Sequence, residues 1–172
     1  MHAVMPSHFD LFGLAPAYAL ETDALERSYR EIQSQIHPDR YARAGDAARR
    51  ASMQWTTRVN EAYRILKSPV QRAKYLLEMN GVDVQFETNT QMPTEFLLKQ
   101  LELREALAEA RQAAALDRLR AQVKQDKGLL EGSIARLLDE KKDYAAAAGE
   151  VRKLMFLDKL GAEIEQAYEE IQ

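Results

Sequence analysis

Apolar positions recur at helical spacing through most of this chain, which predicts a structure built almost entirely from α-helices. One stripe comprises Leu25, Tyr29, Ile32 and Ile36. A longer stripe comprises Ala48, Ala51, Trp55, Val59, Ala62 and Leu66. Taking about 100° per residue, each set falls on one face of a helix. We therefore expect Trp55 in the core and interpret Tyr29 as a mainly structural residue.

Proline residues set the limits of these two helices. Pro38 excludes its predecessor His37 from helical geometry, so the helix that starts near Thr22 or Asp23 must end there. The next helix is expected over residues 46–67. Proline is favoured at the first position of a helix, and a short fourth helix is therefore predicted after residue 68.

The second half of the chain has a different organisation. Residues 81–93 break every helical pattern and are interpreted as a linker. Three further helical stretches follow, at about 94–112, 115–139 and 143–171. Short connections between them favour antiparallel packing. The sequence thus predicts two domains, 1–80 and 94–172, joined by the linker 81–93.

Composition supports a globular protein and narrows its environment. Of 172 residues, 46% are hydrophobic and 30% charged, and the absence of cysteine excludes disulfides and thiolate metal sites. A net charge of −3 argues against nucleic-acid binding driven by electrostatics. The amino terminus does not read as a secretory signal, and no stretch approaches the roughly 20 apolar residues that span a bilayer. We therefore expect a soluble, cytoplasmic protein with no membrane partner.

The tripeptide His37-Pro38-Asp39 joins two predicted helices and displays an imidazole and a carboxylate. On its own it could be an ordinary turn at the end of a helix, since proline and aspartate are common at turns. An enzymatic interpretation would make His37 a base oriented by Asp39. The chain offers them no cysteine and no glycine-rich phosphate loop, and the other histidines, His2 and His8, lie near the terminus. An enzyme is therefore the least favoured class.

The wider set of motifs resembles a J domain over about the first 78 residues. It comprises Phe9-Asp10-Leu11-Phe12-Gly13-Leu14, Tyr29-Arg30, His37-Pro38-Asp39-Arg40, the run from Asn60 to Pro69, and Arg72 with Tyr75. The resemblance implies a co-chaperone that binds a DnaK-type chaperone and stimulates its ATPase, so that the catalytic machinery belongs to the partner. The implied chaperone-binding residues are His37, Pro38, Asp39 and Arg40 in the turn, with Arg27 and Arg30 nearby. Glu26 and Glu31 interrupt the basic positions, which favours a dedicated chaperone partner.

The helix predicted over 94–112 has two apolar arcs instead of one. The first contains Phe96, Leu103, Leu107 and Ala110. The opposite arc contains Leu97, Leu98, Leu101, Glu102, Glu105 and Glu109. A bundle helix buries one face, so the second arc predicts exposed leucines rimmed by glutamates, as in a protein-binding surface. Packing of these leucines against the first domain and a homodimer seam are the alternatives.

Two segments, Phe96–Glu105 and Val151–Leu160, resemble the HscB family of co-chaperones for iron–sulfur cluster assembly, and the similarity extends along the whole chain. The resemblance implies that the protein delivers an IscU-type cluster scaffold to an HscA-type chaperone, with no cofactor or metal of its own. The implied scaffold-binding residues are Leu97, Leu98, Leu101, Glu102, Glu105, Glu109 and Phe156. The predicted buried stripe of the last helix comprises Leu154, Leu157, Leu160, Ile164, Tyr168 and Ile171, and Phe156 lies off it. The chain lacks the cysteine-rich motif of some eukaryotic members, so we expect it to be of bacterial type.

These observations predict an all-α, two-domain adaptor: a J domain, formed by a helical hairpin with short flanking helices, followed by a three-helix bundle. Two alternative functions belong to other classes of protein. A general J-domain chaperone would bind many unfolded clients, and a coiled-coil structural protein would need heptads that continue past the bundle.

Overall fold

A computed structural model describes residues 5–84 and 91–171, and it confirms the all-α prediction. Within these ranges the chain forms seven α-helices: α1 (His8–Leu11), α2 (Thr22–Ile36), α3 (Asp46–Lys67), α4 (Pro69–Met79), α5 (Thr94–Glu109), α6 (Ala113–Ala135) and α7 (Tyr144–Ile171). A 3₁₀ helix covers Pro38–Tyr41, and a π-helical turn covers Arg136–Glu140. Positions 85–90 of the predicted linker lie outside the described residues.

The chain divides into two compact units, Met1–Leu76 and Leu77–Gln172, and the division falls within α4. The first unit holds the hairpin of α2 and α3. The second holds the three long helices α5, α6 and α7. The finer limits 1–80, 81–93 and 94–172 remain a prediction.

Helices α2 and α3 of the first unit run antiparallel. The Tyr29 hydroxyl donates to Asn60 Oδ1 at 2.6 Å, whereas the Ser52 hydroxyl donates to the Ile36 carbonyl at 2.5 Å. The end of α2 therefore lies beside the start of α3. Tyr29 also stacks on Tyr63 with ring centroids 3.9 Å apart, which confirms its structural role.

The prediction that Trp55 belongs to the core is wrong, because this side chain is 44% exposed. The buried face of α3 contains Ser52, Val59, Ala62 and Leu66. Ser52 can be buried because its hydroxyl donates to the Ile36 carbonyl. Trp55 lies three residues after Ser52 and four before Val59, so it shares their side of α3. Its large ring is nevertheless only partly covered, and it lies under the Arg58 guanidinium at 5.3 Å from the ring centroid.

A buried arginine stabilises the first unit. Arg72 of α4 is only 7% exposed, and its Nε and a terminal guanidinium nitrogen donate to the carbonyls of Tyr18 at 2.7 Å and Leu66 at 2.6 Å. These hydrogen bonds compensate the cost of removing a charged group from water. They hold the start of α4 against the end of α3 and the segment before α2.

The second unit is a three-helix bundle around one apolar core. That core contains Leu103, Leu116, Leu119, Val123, Leu157, Leu160 and Ile164. Leu107, Ala110 and Tyr168 are partly buried against it, as the predicted stripes require. Ile171 differs from its predicted stripe, because it is 42% exposed at the end of α7.

Ion pairs between the helices give the register of the bundle. They are Lys99–Asp126 at 3.1 Å, Arg104–Glu163 at 2.7 Å, Arg120–Glu165 at 2.7 Å and Lys127–Asp158 at 2.8 Å. From the pair Arg120–Glu165 to the pair Lys127–Asp158, the residue number rises on α6 and falls on α7, so these two helices are antiparallel. The Lys153 ammonium lies 5.8 Å from the Phe96 ring centroid, and together with Arg104–Glu163 this contact makes α5 and α7 parallel.

Candidate functional site

The turn after α2 is positioned by its proline. His37 leaves helical geometry with φ −57° and ψ 134°, as expected for a residue before proline. Pro38 then begins the 3₁₀ helix, where its missing N–H and fixed φ are tolerated. Three consecutive residues are thus presented at the end of the hairpin.

The imidazole and the carboxylate of this turn are both accessible. The His37 side chain is 49% exposed and that of Asp39 92% exposed. The His37 Nδ1 atom accepts a hydrogen bond from the Asp39 backbone N–H at 3.2 Å. In the neutral ring the proton therefore lies on Nε2, which is the nitrogen available to donate to a partner. The turn can offer a donor and a carboxylate two residues apart.

Side chains from the turn also satisfy the carbonyls at the end of α2. Arg40 donates to the Ser34 carbonyl at 3.3 Å, and the Tyr41 hydroxyl donates to the Gln35 carbonyl at 3.4 Å. The last carbonyls of a helix lack partners within the helix, so these bonds fasten the turn to α2. Arg40 therefore supports the turn in addition to its predicted contact with the chaperone.

The two predicted basic residues of α2, Arg27 and Arg30, are exposed. Together with Ser34 they are spaced three and four residues apart, which places them on one side of the helix leading to the turn. Arg30 pairs with Glu26 at 2.6 Å, but its side chain is 74% exposed. Exposed pairs of this kind contribute little stability, so Arg30 can exchange Glu26 for an acidic partner group.

Helix α5 has the exposed leucines that its two arcs predict. Leu97 is 44% exposed, Leu98 57% and Leu101 54%. Leu103, on the opposite arc, is only 8% exposed and belongs to the core. The helix thus buries one face and leaves a row of leucines in water, where their burial by a partner would be favourable.

Glutamates continue this row towards the end of α5. Glu102, Glu105 and Glu109 are all exposed, and none forms an ion pair within the described residues. We name the set of Leu97, Leu98, Leu101, Glu102, Glu105 and Glu109 the α5 face. Its charge is negative and its apolar part is at one end.

Phe156 of α7 lies beside this face. Arg104 pairs with Glu163, and seven residues before each of them are Leu97 and Phe156. Seven residues are about two helical turns, so these side chains lie at the same level of the parallel helices. Phe156 is half-buried. The structure therefore brings six predicted positions of α5 and one of α7 to the same side of the bundle.

The sequence patterns did not single out Leu129 of α6, which is 70% exposed. Leu129 could have been identified from the sequence as an exposed leucine, because it lies off the buried stripe of Leu116, Leu119 and Val123. Within the described parts of the chain, no group of three histidine or acidic side chains gathers as a metal site, and no helix is long and apolar enough to cross a bilayer.

Comparisons with known proteins cover both units. A family model described as HSCB C-terminal oligomerisation domain matches residues 92–165. The co-chaperone protein HscB homolog of Burkholderia vietnamiensis is 47% identical over 95% of this chain and 95% of its own. The fold is similar to that of chaperone HscB from Vibrio cholerae, at 31% identity, TM-score 0.83, and 97% and 100% coverage of the two chains. It is also similar to human co-chaperone protein HscB, at 25% identity, TM-score 0.89, and 94% and 81% coverage.

Proposed function

Because this chain belongs to the HscB family of co-chaperones, non-enzymatic J-proteins of iron–sulfur cluster assembly, we propose that it brings an IscU-type cluster scaffold to an HscA-type chaperone. The first unit engages the chaperone and stimulates its ATPase. The second unit binds the scaffold. Both events take place in the bacterial cytoplasm.

The exposed leucines of the α5 face are the observation that carries the proposal. Removing apolar surface from water contributes about 25 cal/mol per Å², from which the costs of association are subtracted. Leu97, Leu98 and Leu101 can therefore supply much of the affinity for the scaffold. The glutamates set orientation and selectivity, since exposed charges act mainly on specificity and on the association rate.

The His37-Pro38-Asp39 turn is suited to a chaperone contact. The imidazole Nε2 and the exposed Asp39 carboxylate can make directional hydrogen bonds, and the 3₁₀ helix holds them in one geometry. Arg27, Arg30 and Arg40 give the approach an attractive field for an acidic surface. Hydrolysis itself uses the chaperone's own residues.

A pair of variants tests whether the two contacts are separate. A variant with alanine at Leu97, Leu101 and Phe156 should weaken binding of the IscU-type scaffold by at least about tenfold, because it removes the centre of the apolar contact. The His37→Gln variant should bind the scaffold as the parent protein does. Isothermal titration calorimetry gives both dissociation constants.

Thermal unfolding provides the control. Leu97 and Leu101 are exposed and contribute little to the folded state, whereas Phe156 is half-buried and contributes part of its packing. The triple variant should therefore unfold within a few degrees of the parent. A large fall in melting temperature would show that these residues belong to the core. Loss of scaffold binding in His37→Gln would contradict the separation of the two sites.

A further inference from the structure

An exposed leucine of the neighbouring helix lies beside the apolar part of the α5 face. Leu129, on the neighbouring helix α6, has 70% of its surface in water. We propose that Leu129 is a further contact residue for the IscU-type scaffold, so that the docking surface spans α5, α6 and α7. This inference rests on the proposed function and adds a residue outside the set implied by the sequence.

The ion pair between α5 and α6 gives the level of Leu129. Lys99 Nζ lies 3.1 Å from Asp126 Oδ1, and the helices are antiparallel. Leu98, one residue before Lys99, is therefore level with position 127 of α6. Leu129 lies two residues further, which is about 3 Å along the helix axis.

The direction of the two side chains follows from helical geometry. At about 100° per residue, Leu129 lies roughly 60° further round α6 than Asp126, on the side away from the core residue Val123. Leu98 is displaced in the corresponding way from Lys99 on α5. Since Lys99 and Asp126 meet across the groove between the helices, Leu98 and Leu129 both project from its outer edges on the same side.

Phe156 completes the arrangement on the other flank of α5. On α7, Phe156 is level with Leu97 of α5. On α6, Leu129 is close to the level of Leu98 of α5. The leucines of α5 thus have a large apolar side chain on each neighbouring helix. A single exposed leucine is common on protein surfaces, but one that extends an apolar patch helps to exclude water from its centre.

Charge favours the scaffold over a second copy of this chain as the occupant. Glu102, Glu105 and Glu109 are exposed and have no ion-pair partner within the described residues, so they are available to pair with basic groups of a partner. A second copy docked along the same face would add its own carboxylates. We therefore assign the surface to a scaffold that presents an apolar side chain bordered by basic ones.

Alanine substitution of Leu129 tests the inference. We expect Leu129→Ala to raise the Kd for the purified IscU-type scaffold by about three- to tenfold, because the partner loses an apolar contact. The melting temperature should stay unchanged, since the side chain is mainly in solvent. The matched control is Ile171→Ala, which removes a 42% exposed aliphatic side chain at the opposite end of the bundle and should leave the Kd unchanged.

The variant with alanine at Leu97, Leu101 and Phe156 separates failure of this inference from failure of the proposed function. If that variant weakens binding and Leu129→Ala changes the Kd by less than twofold, Leu129 is not a contact residue. If neither weakens binding, the scaffold assignment itself fails. If Leu129→Ala alters only self-association in sedimentation equilibrium, the occupant is a second copy and the inference is overturned.

Discussion

His8 is held in an environment that favours its neutral form. Its ring stacks on Tyr75 with centroids 4.3 Å apart, and its backbone N–H donates to the Tyr75 hydroxyl at 3.0 Å. Burial lowers the pKa of His8 below its ordinary value near 6.5. Of the neighbouring charges, Glu61 raises the pKa and Arg58 lowers it.

This environment makes stability depend on pH. A histidine whose pKa is lower in the folded state stabilises the fold above its unfolded pKa, near 6.5, and this contribution is lost as the pH falls through the folded pKa. The melting temperature of the parent should therefore fall between pH 7 and pH 5. His8→Phe keeps an aromatic ring against Tyr75 and should show a smaller fall. Equal falls in both proteins would exclude a role for His8.

At the residue scale, the sequence predicts the exposure of the candidate site residues but not that of Trp55. The exposure of His37 and of the α5 leucines follows from a turn and from a helix with two apolar arcs. Trp55 falls on the apolar stripe of α3, but a stripe does not reveal how much of a large ring the neighbouring elements cover, and this ring stays 44% exposed against the Arg58 guanidinium. The hydrogen bond to His37 Nδ1 likewise depends on the 3₁₀ geometry of the turn.

At the element scale, the connection between α6 and α7 contains an unusual backbone conformation. The π-helical turn Arg136–Glu140 is followed by Lys142, which has a φ of 54°. This left-handed conformation is unfavourable for residues with a Cβ atom. The Asp143 carboxylate then accepts the Ala146 backbone N–H at 3.1 Å, and α7 begins.

Glycine at this position should stabilise the protein. Lys142→Gly removes the steric cost of a positive φ, and we expect a gain of about 0.5–1 kcal/mol in the free energy of unfolding. The matched control is Lys141→Gly, because Lys141 has a φ of −85° and glycine there only adds freedom to the unfolded chain. Chemical denaturation measures both values. A loss of stability in Lys142→Gly equal to that of the control would refute the prediction.

Helix limits were predicted well where proline determined them. α2 ends at Ile36 before Pro38, and α3 covers the expected residues 46–67. The sequence predicts an end of α5 at residue 112, three residues beyond the observed end at Glu109. None of Ala110, Arg111 and Gln112 is a glycine or proline that would mark the end of a helix. The sequence does not reveal the π-helical turn at Arg136–Glu140, since the helical pattern along α6 continues through it.

At the scale of the whole molecule, two separate surfaces serve the two partners of the proposed adaptor. The turn of the first unit presents His37 and Asp39, and the second unit presents the α5 face. The order of helices and the three-helix bundle followed from periodicity and from the family resemblance. The family resemblance also implies the joint use of α5 and Phe156 of α7. The place of Leu129 of α6 beside them does not follow from the sequence, because the ion pair that gives its level joins residues far apart in the chain.

The steady-state ATPase rate of the cognate HscA-type chaperone, measured with this protein, the scaffold, and both together, tests the adaptor directly. We expect stimulation by both to exceed the sum of the separate effects, because one molecule engages the chaperone and the scaffold at once. His37→Gln should remove the stimulation by this protein, whereas alanine at Leu97, Leu101 and Phe156 should remove only the excess that the scaffold adds. Full stimulation by His37→Gln, or additive rates with the parent protein, would contradict the account.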